Sequence, residues 1–371
     1  MVTWMPDGGA KTHRGNHLYW LFLMIVREQV SLAPLTTLGV GGPARYFVEA
    51  AHVGEVVEAL KFAKERGLPV FVLGGGSNLV VADRGYDGLV LKIALRGVEC
   101  FAEGSESVFR AAAGEDWDGL VARSVEEDCA GIECLSGIPG TVGGTPVQNV
   151  GAYGQEVADT ICEVEALDRP TLQVVRFTNQ DCGFSYRASR FNATDRDRYI
   201  ILRVSYSLRR GGKPSLRYAD LQRALADFPA HPSLLQVRDA VREIRRSKAM
   251  LLVEGDEDCR SAGSFFKNPV VSQQDFEALD ERLRSRGLAM PSYPSGDETR
   301  KLSAAWLVEH AGFHKGYARG AAGISSKHAL AIVNRGGATA AEIVALKDEI
   351  QARVLAEFGI ELVPEPVFLG F

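Results

Sequence analysis

CLSGIPGTVGGTPVQNVGAYGQE, residues 134–156, is the stretch on which the reading of this chain turns. Glycine stands at 137, 140, 143, 144, 151 and 154, with Gln148 and Asn149 between. A loop-rich run of this length is usually either functional or disordered. Ile138, Val142, Val147 and Val150 argue for order. The composition suits backbone wrapped closely around a flat, phosphate-bearing ligand, since glycine lets main chain approach a surface with no Cβ in the way. A glycine-rich linker is the bland alternative.

Upstream, the apolar run LPVFV at 68–72 leads into LGGGSN at 73–78. Successive N–H groups in such a turn can form an anion nest, to which Ser77 and Asn78 add hydrogen bonds. A tight turn reads equally well from the residues alone. GVGGPA at 39–44 formally matches the dinucleotide fingerprint, but strand-like RYFVE follows where a helix should open. Glu58, the candidate ribose acid, falls inside a helix rather than at the end of a second strand. We therefore reject a dinucleotide fold.

Further out, the pattern is strand 45–49, helix 53–66, strands near 68–73, 80–83, 88–93 and 107–114, and helix 117–129. That order predicts an α+β fold rather than repeated βαβ units. Strands follow at 161–167, 172–177 and 200–208, then helices at 216–228 and 234–250. A third section predicts helices near 272–286, 301–311 and 340–358, with strands at 329–334 and at the C-terminus. We place a boundary near 225–245, giving domains at 30–235 and 236–371. Residues 1–29 read as an extension or upstream sequence without fixed structure, and we expect the native start at Met24.

The chain has 371 residues, 46% of them apolar, which suits two globular domains. Lys and Arg total 42 against 47 Asp and Glu, a net charge of −5. No basic footprint marks a nucleic-acid binder, whereas a few local cations suffice for a small anionic ligand. The apolar run at 18–26 is too short for a membrane, which takes about 20 residues. Six cysteines lack CxxC spacing, so they read as reduced thiols of a cytosolic protein rather than a zinc site or disulfide framework. His310 and His314 stand four apart, but Gly312 between them marks a helix end rather than a metal site.

Six ordered blocks together resemble the UDP-N-acetylenolpyruvoylglucosamine reductase family, over residues 30–371. They are TTLGVGGPARYFVE at 36–49, LGGGSN at 73–78, GIPGTVGGTPVQNVGAYGQEV at 137–157, CGFSYRASRF at 182–191, AGSFFKNP at 262–269 and PEPVFLG at 364–370. The resemblance implies a two-subdomain FAD-binding domain of the vanillyl-alcohol-oxidase type, followed by a smaller α/β substrate domain. It implies a cytoplasmic, monomeric flavoenzyme of peptidoglycan precursor synthesis, with NADPH reducing the enolpyruvyl ether of UDP-N-acetylglucosamine through non-covalent FAD. No histidine lies between His52 and His231, so histidyl attachment of flavin within that stretch is excluded.

By the same resemblance, FAD lies on Gly74, Gly75, Gly76, Ser77, Asn78 and Leu79, and on Gly137, Ile138, Pro139, Gly140, Val142, Gly143, Gly144, Gln148, Asn149, Gly151 and Ala152. Arg187 matches the family arginine that meets the substrate carboxylate, Ser264 the proton donor and Glu365 the family glutamate. Tyr218, in LRYADL, matches a tyrosine on a segment that closes over the substrate. Tyr186, Lys248, Lys267, Asn268 and His328 fall in substrate-contacting segments. Arg242, Arg245 and Arg246 read either as phosphate-steering charges or as a solvated helix face. A flavin oxidase or dehydrogenase of the same fold, or a non-catalytic UDP-sugar sensor, are the alternatives. Neither needs Arg187, Ser264 and Glu365 together.

Overall fold

The computed structural model describes residues 2–3, 24–226, 232–296 and 298–371. The expected N-terminal extension falls mostly outside them. Its last residues do not: Ile25–Ser31 is a strand, anchored by buried Met24 and Val26. The chain forms two compact units, one of residues 1–30, 43–75 and 86–245, the other of 31–42, 76–85 and 246–371.

The first unit holds two larger sheets and a two-stranded hairpin. One contains Pro43–Ala50, Tyr86–Ile93 and Val70–Leu73 side by side and parallel, with Ile25–Ser31 next to Pro43–Ala50 and paired in turn with Val2–Thr3. Helix α1, Val53–Glu65, buries Val56, Ala59, Leu60 and Ala63, the 3.6-residue stripe legible in the sequence. Glu55 fixes its start by accepting the amides of Ala51 and His52. So a strand–helix–strand unit with parallel pairing does occur here, within an otherwise α+β arrangement.

The second sheet is antiparallel, in the order Gln173–Thr178, Ile161–Asp168, Tyr199–Arg210, Glu106–Ala112 and Val98–Glu103. Helix α2, Trp117–Glu126, begins at Asp116, whose carboxylate accepts the Gly119 amide at 2.7 Å. Trp117 is buried, and its indole N–H reaches the Leu135 carbonyl at 3.2 Å, pinning the chain just before the long glycine loop. Helix α3, Ala219–Ala224, is shorter than the sequence suggests because Tyr218 is extended (φ −97°, ψ 129°). The last residues of that expected helix lie outside the described residues. Helix α4, Leu234–Ser247, buries Val237 and Val241 against Cys134 and Leu221.

In the second unit, Val270–Ser272, Thr299–Leu302 and Ser292–Pro294 form one small antiparallel sheet. Ala318–Arg319, Ala322–Ile324 and Ile332–Asn334 form another. The strand expected at 329–334 is shorter because the chain turns first, the Ala331 amide returning to the His328 carbonyl at 3.1 Å. Helices α5 (Gln273–Arg284), α6 (Ala304–His310) and α7 (Ala340–Phe358) pack over a core that includes Phe265, Leu307 and Leu346. A carboxylate brings a distant segment in: Asp83 accepts the Ala340 and Ala341 amides at 2.7 and 2.9 Å, capping α7 beside Thr339. Leu79–Val81 pairs in parallel with the C-terminal strand Val367–Leu369. All six cysteines are free thiols, and burial pushes Cys182 up to about 12.

Candidate active site

In the first unit the two glycine loops pass backbone against backbone. A Cβ on Gly75 would lie 2.6 Å from the Gly140 Cα, and one on Gly74 2.9 Å from the Thr141 hydroxyl oxygen. Gly137 and Gly140 have φ of +71° and +133°, which side chains rarely tolerate. Ile138, Pro139, Gly140 and Gln148 are half-buried along the loop. Val142 turns its side chain into the core, and its amide donates to the Glu115 carbonyl at 2.9 Å. Gly143 answers to packing, since its Cβ would lie 2.7 Å from that of Ala113, whereas a Cβ on Gly144 meets nothing within 4 Å.

The start of the loop is clamped. Asp118 accepts the Gly137 amide at 2.6 Å and pairs with Arg238 at 2.6 Å and with Arg242. Burial raises the Asp118 pKa, but the Arg238 hydrogen bond, the Gly137 amide and Arg242 outweigh it and hold the carboxyl below its usual range. From the other side, Arg245 Nε donates to the Gly137 carbonyl at 3.0 Å. Arg245 is only 5% exposed, and that desolvation lowers its pKa against the favourable influence of Tyr153 and Asp118. The basic run of α4 is therefore not a wholly solvated face. Two of its arginines, Arg242 and Arg245, grip the glycine loop through Asp118 and Gly137.

The end of the loop carries the arginine. Asn149 is 1% exposed, and its amide nitrogen donates to Glu156 at 2.8 Å and to the Ser185 carbonyl at 3.0 Å. Its side chain thus joins the loop to the turn 185–188. Arg187 sits in that turn with φ +54°, a left-handed conformation unusual for a residue with a Cβ. Its guanidinium donates to the Gly151 carbonyl at 2.8 Å and lies 5.6 Å over the Tyr186 ring. Gly151–Ala152 and Gln155–Glu156 form a hairpin whose turn residues, Tyr153 and Gly154, both have positive φ. Tyr153 meets Tyr218 edge to face, ring centroids 5.4 Å apart. Below them, buried Glu133 accepts from the Gly131 amide, the Gln155 amide nitrogen and the Ser215 amide at 2.7–2.8 Å, tying the hairpin to the segment that leads to Tyr218.

In the second unit, segment 264–267 runs between two others. The Phe265 amide donates to the Leu330 carbonyl at 2.7 Å, while the Lys267 and Glu365 amides bond to Val363 and Phe265 carbonyls at 2.9 Å each. Ser264, His328 and Glu365 thus share one patch of adjoining backbone. Ser264 Oγ lies 3.1 Å from His328 Nε2. Asn78 donates from its side chain to the Glu365 carbonyl at 3.2 Å and accepts the Val367 amide at 3.0 Å. The segment Gly76–Leu79 is in this way fixed to Glu365. Asn268 caps α6, accepting the Ala304 amide at 3.0 Å, so its carbonyl oxygen serves the fold. Lys248 is half-buried just after α4.

A family model described as UDP-N-acetylenolpyruvoylglucosamine reductase, C-terminal domain, matches residues 255–369, and an FAD binding domain model matches 44–178. The UDP-N-acetylenolpyruvoylglucosamine reductase of Thermobifida fusca is 46% identical over 351 residues, 92% of this chain and 98% of that protein. The reductase of Streptomyces coelicolor is 47% identical, over 91% of this chain and 89% of its own. The chain belongs to the UDP-N-acetylenolpyruvoylglucosamine reductase family. It is an FAD-dependent oxidoreductase. The crystal structure of the UDP-N-acetylenolpyruvylglucosamine reductase from Thermus caldophilus matches 94% of the chain and 100% of its own, at 26% identity and a TM-score of 0.63.

The residues of this family member fit its flavin. The crossing of Gly74–Gly75 over Gly140–Thr141 leaves a surface of peptide groups with no room for side chains between them, which suits a flat ring and a diphosphate. Asp118, Glu133 and Asp83 escaped the sequence reading, and Arg245 entered it only as part of a basic run. Only Asp118 had a usable signal, its place one turn into a helix that ends close before the glycine loop. His310 stacks on Trp306 at 3.6 Å between ring centroids, and His314 Nδ1 lies 2.9 Å from the Lys315 carbonyl.

Proposed function

We propose that Arg187, Ser264 and Glu365 carry the substrate chemistry of the reductase. The overall activity is that of the family: NADPH-dependent reduction of the enolpyruvyl ether of UDP-N-acetylglucosamine to UDP-N-acetylmuramate, a step of peptidoglycan precursor synthesis. FAD held on the glycine loops would supply the hydride, taken from NADPH, that the terminal vinyl carbon receives. Negative charge then builds on the substrate carboxylate, and the adjacent carbon needs a proton.

Arg187 holds that carboxylate with the planar fork of its guanidinium. Its anchorage to the Gly151 carbonyl keeps the guanidinium beside the glycine loop. Ser264 gives the proton to carbon, and Glu365 shares a proton with the developing enolate. The observation that carries the assignment is the shared backbone patch of Ser264 and Glu365, with Asn78 bound to the Glu365 carbonyl.

Residues 30–235 on this reading bind FAD through the glycine loops named above, and 236–371 bind the substrate. Tyr186, Tyr218, Lys248, Lys267, Asn268 and His328 supply its remaining contacts. On this reading the enzyme acts as a cytoplasmic monomer; no helix among the described residues is long and apolar enough to cross a membrane. The test is whether flavin-loaded protein oxidises NADPH only when UDP-N-acetylglucosamine enolpyruvate is present. Oxidation at the same rate without it would leave a flavin oxidase as the better reading.

A further inference from the structure

We propose that His328 is a proton relay behind Ser264, returning to the serine the proton it gives to substrate carbon. The inference rests on the reading of Ser264 as proton donor and adds a role that this reading does not contain. Its basis is the 3.1 Å approach of Ser264 Oγ to His328 Nε2.

The loop carrying His328 is built to hold that contact. Ser326 donates its amide and hydroxyl to Asp258 at 3.0 and 2.5 Å, and Lys327 pairs with Asp256 at 2.6 Å. The amides of Lys327 and His328 both converge on the hydroxyl of buried Ser325, at 3.1 and 3.3 Å. The His328 carbonyl accepts the Ala331 amide, and two residues on Leu330 bonds to Phe265, next to Ser264. Five hydrogen bonds within four residues leave the imidazole a small range of directions.

A serine hydroxyl is a weak acid and the alkoxide it would leave is a strong base, so the proton from His328 has to reach Ser264 Oγ as the serine proton goes to carbon, within the same turnover. An imidazolium, titrating near pH 6.5 in water, is a source matched to neutral pH. The balance closes. Hydride forms the C–H bond at the terminal carbon as the C=C bond opens. The Ser264 O–H bond breaks as the second C–H bond forms. The His328 Nε2–H bond breaks as the serine O–H is restored, and the neutral ring regains its proton from water. Net consumption is one hydride from NADPH and one solvent proton. The titratable groups on the segments packed against His328 are Asp256, Asp258, Cys259, Lys327, Lys267 and Glu365, and the pH profile reads through all of them.

The experiment compares parent, His328→Gln, His328→Asn and Ser264→Ala in two single-turnover reactions: reduction by NADPH, and reoxidation by UDP-N-acetylglucosamine enolpyruvate from pH 5.5 to 9. Glutamine keeps an N–H near the Nε2 position but cannot supply a proton. We expect Ser264→Ala to slow reoxidation by about 10²-fold or more at every pH. At saturating substrate, His328→Gln should slow it roughly 10-fold or more and flatten the parent's fall toward high pH, beyond any affinity it loses as a substrate contact. His328→Asn, too short to reach Oγ, should be slower still. Reduction by NADPH monitors folding in all four. If Ser264→Ala is slow but His328→Gln keeps the parent's rate and pH profile, the relay is wrong and the serine assignment stands. A His328→Gln variant that loses only affinity makes His328 a substrate contact and overturns the relay. If Ser264→Ala reoxidises at the parent rate, the serine reading fails and the relay with it.

Discussion

Arg245→Met should loosen flavin binding without touching the flavin. The Arg245 guanidinium holds the Gly137 carbonyl at 3.0 Å from a position 5% exposed, while Asp118 holds the amide of the same residue at 2.6 Å. The glycine has φ +71°, so the loop's first corner is fixed from both sides. A hydrogen bond to a charged group contributes about 1.5–3 kcal/mol. Methionine fills much of the same volume and leaves that carbonyl without its cation. If the loop's geometry is the binding site, most of that energy appears in flavin affinity, a loss of roughly 10–150-fold. Asp118→Asn should weaken binding as well, because it also leaves Arg238 and Arg242 facing an uncharged amide. The two changes act on one residue, so the double variant should lose less than the sum. FAD dissociation constants from quenching of flavin fluorescence, measured well below each variant's melting temperature, decide it. Parental affinity in Arg245→Met, in a protein still folded, would refute the idea that α4 shapes the loop.

Arg187→Lys should cut turnover on the order of 10²-fold with flavin content unchanged, because lysine keeps the charge but loses the planar fork. An unaltered rate of reoxidation by substrate would remove Arg187 from the carboxylate. Gly144→Leu should empty the flavin site of an intact fold, since its Cβ meets nothing in the protein, whereas Gly143→Leu should lower the melting temperature through its clash with Ala113. Full flavin occupancy in Gly144→Leu would place the ligand elsewhere. The lowered pKa of Asp118 contributes stability that is complete above its unfolded value of about 3.9 and is lost as pH falls through the lower folded value. Acid titration of melting temperature should therefore show a deeper fall below pH 4 in the parent than in Asp118→Asn, and equal falls would contradict it.

What the sequence made legible and what it hid divide along a physical line. Periodicity reports burial, so α1, α2, α7 and four strands of the large antiparallel sheet emerge close to their observed limits, whereas its mostly exposed edge strand Val98–Glu103 does not. Glycine density reports close backbone approach, and the two glycine loops do pass backbone against backbone. The partners of those loops leave no such trace, because a buried ion pair is written in residues that usually mean solvent. Arg242 and Arg245 sit in a run, REIRRSK, whose composition is that of an exposed helix face. Only the fold, by setting α4 against Asp118 and Gly137, turns two of its cations inward. Asn149 shows the converse. Its place in the glycine loop suggests a ligand contact, yet its side chain is consumed by Glu156, Ser185 and Ala158. Its contribution is to carry the loop's geometry to the turn of Arg187, which then holds a left-handed backbone that no local preference would choose. A residue can thus matter to a site through the geometry its side chain holds, and that class of residue is the one a sequence read alone is least able to separate from its neighbours.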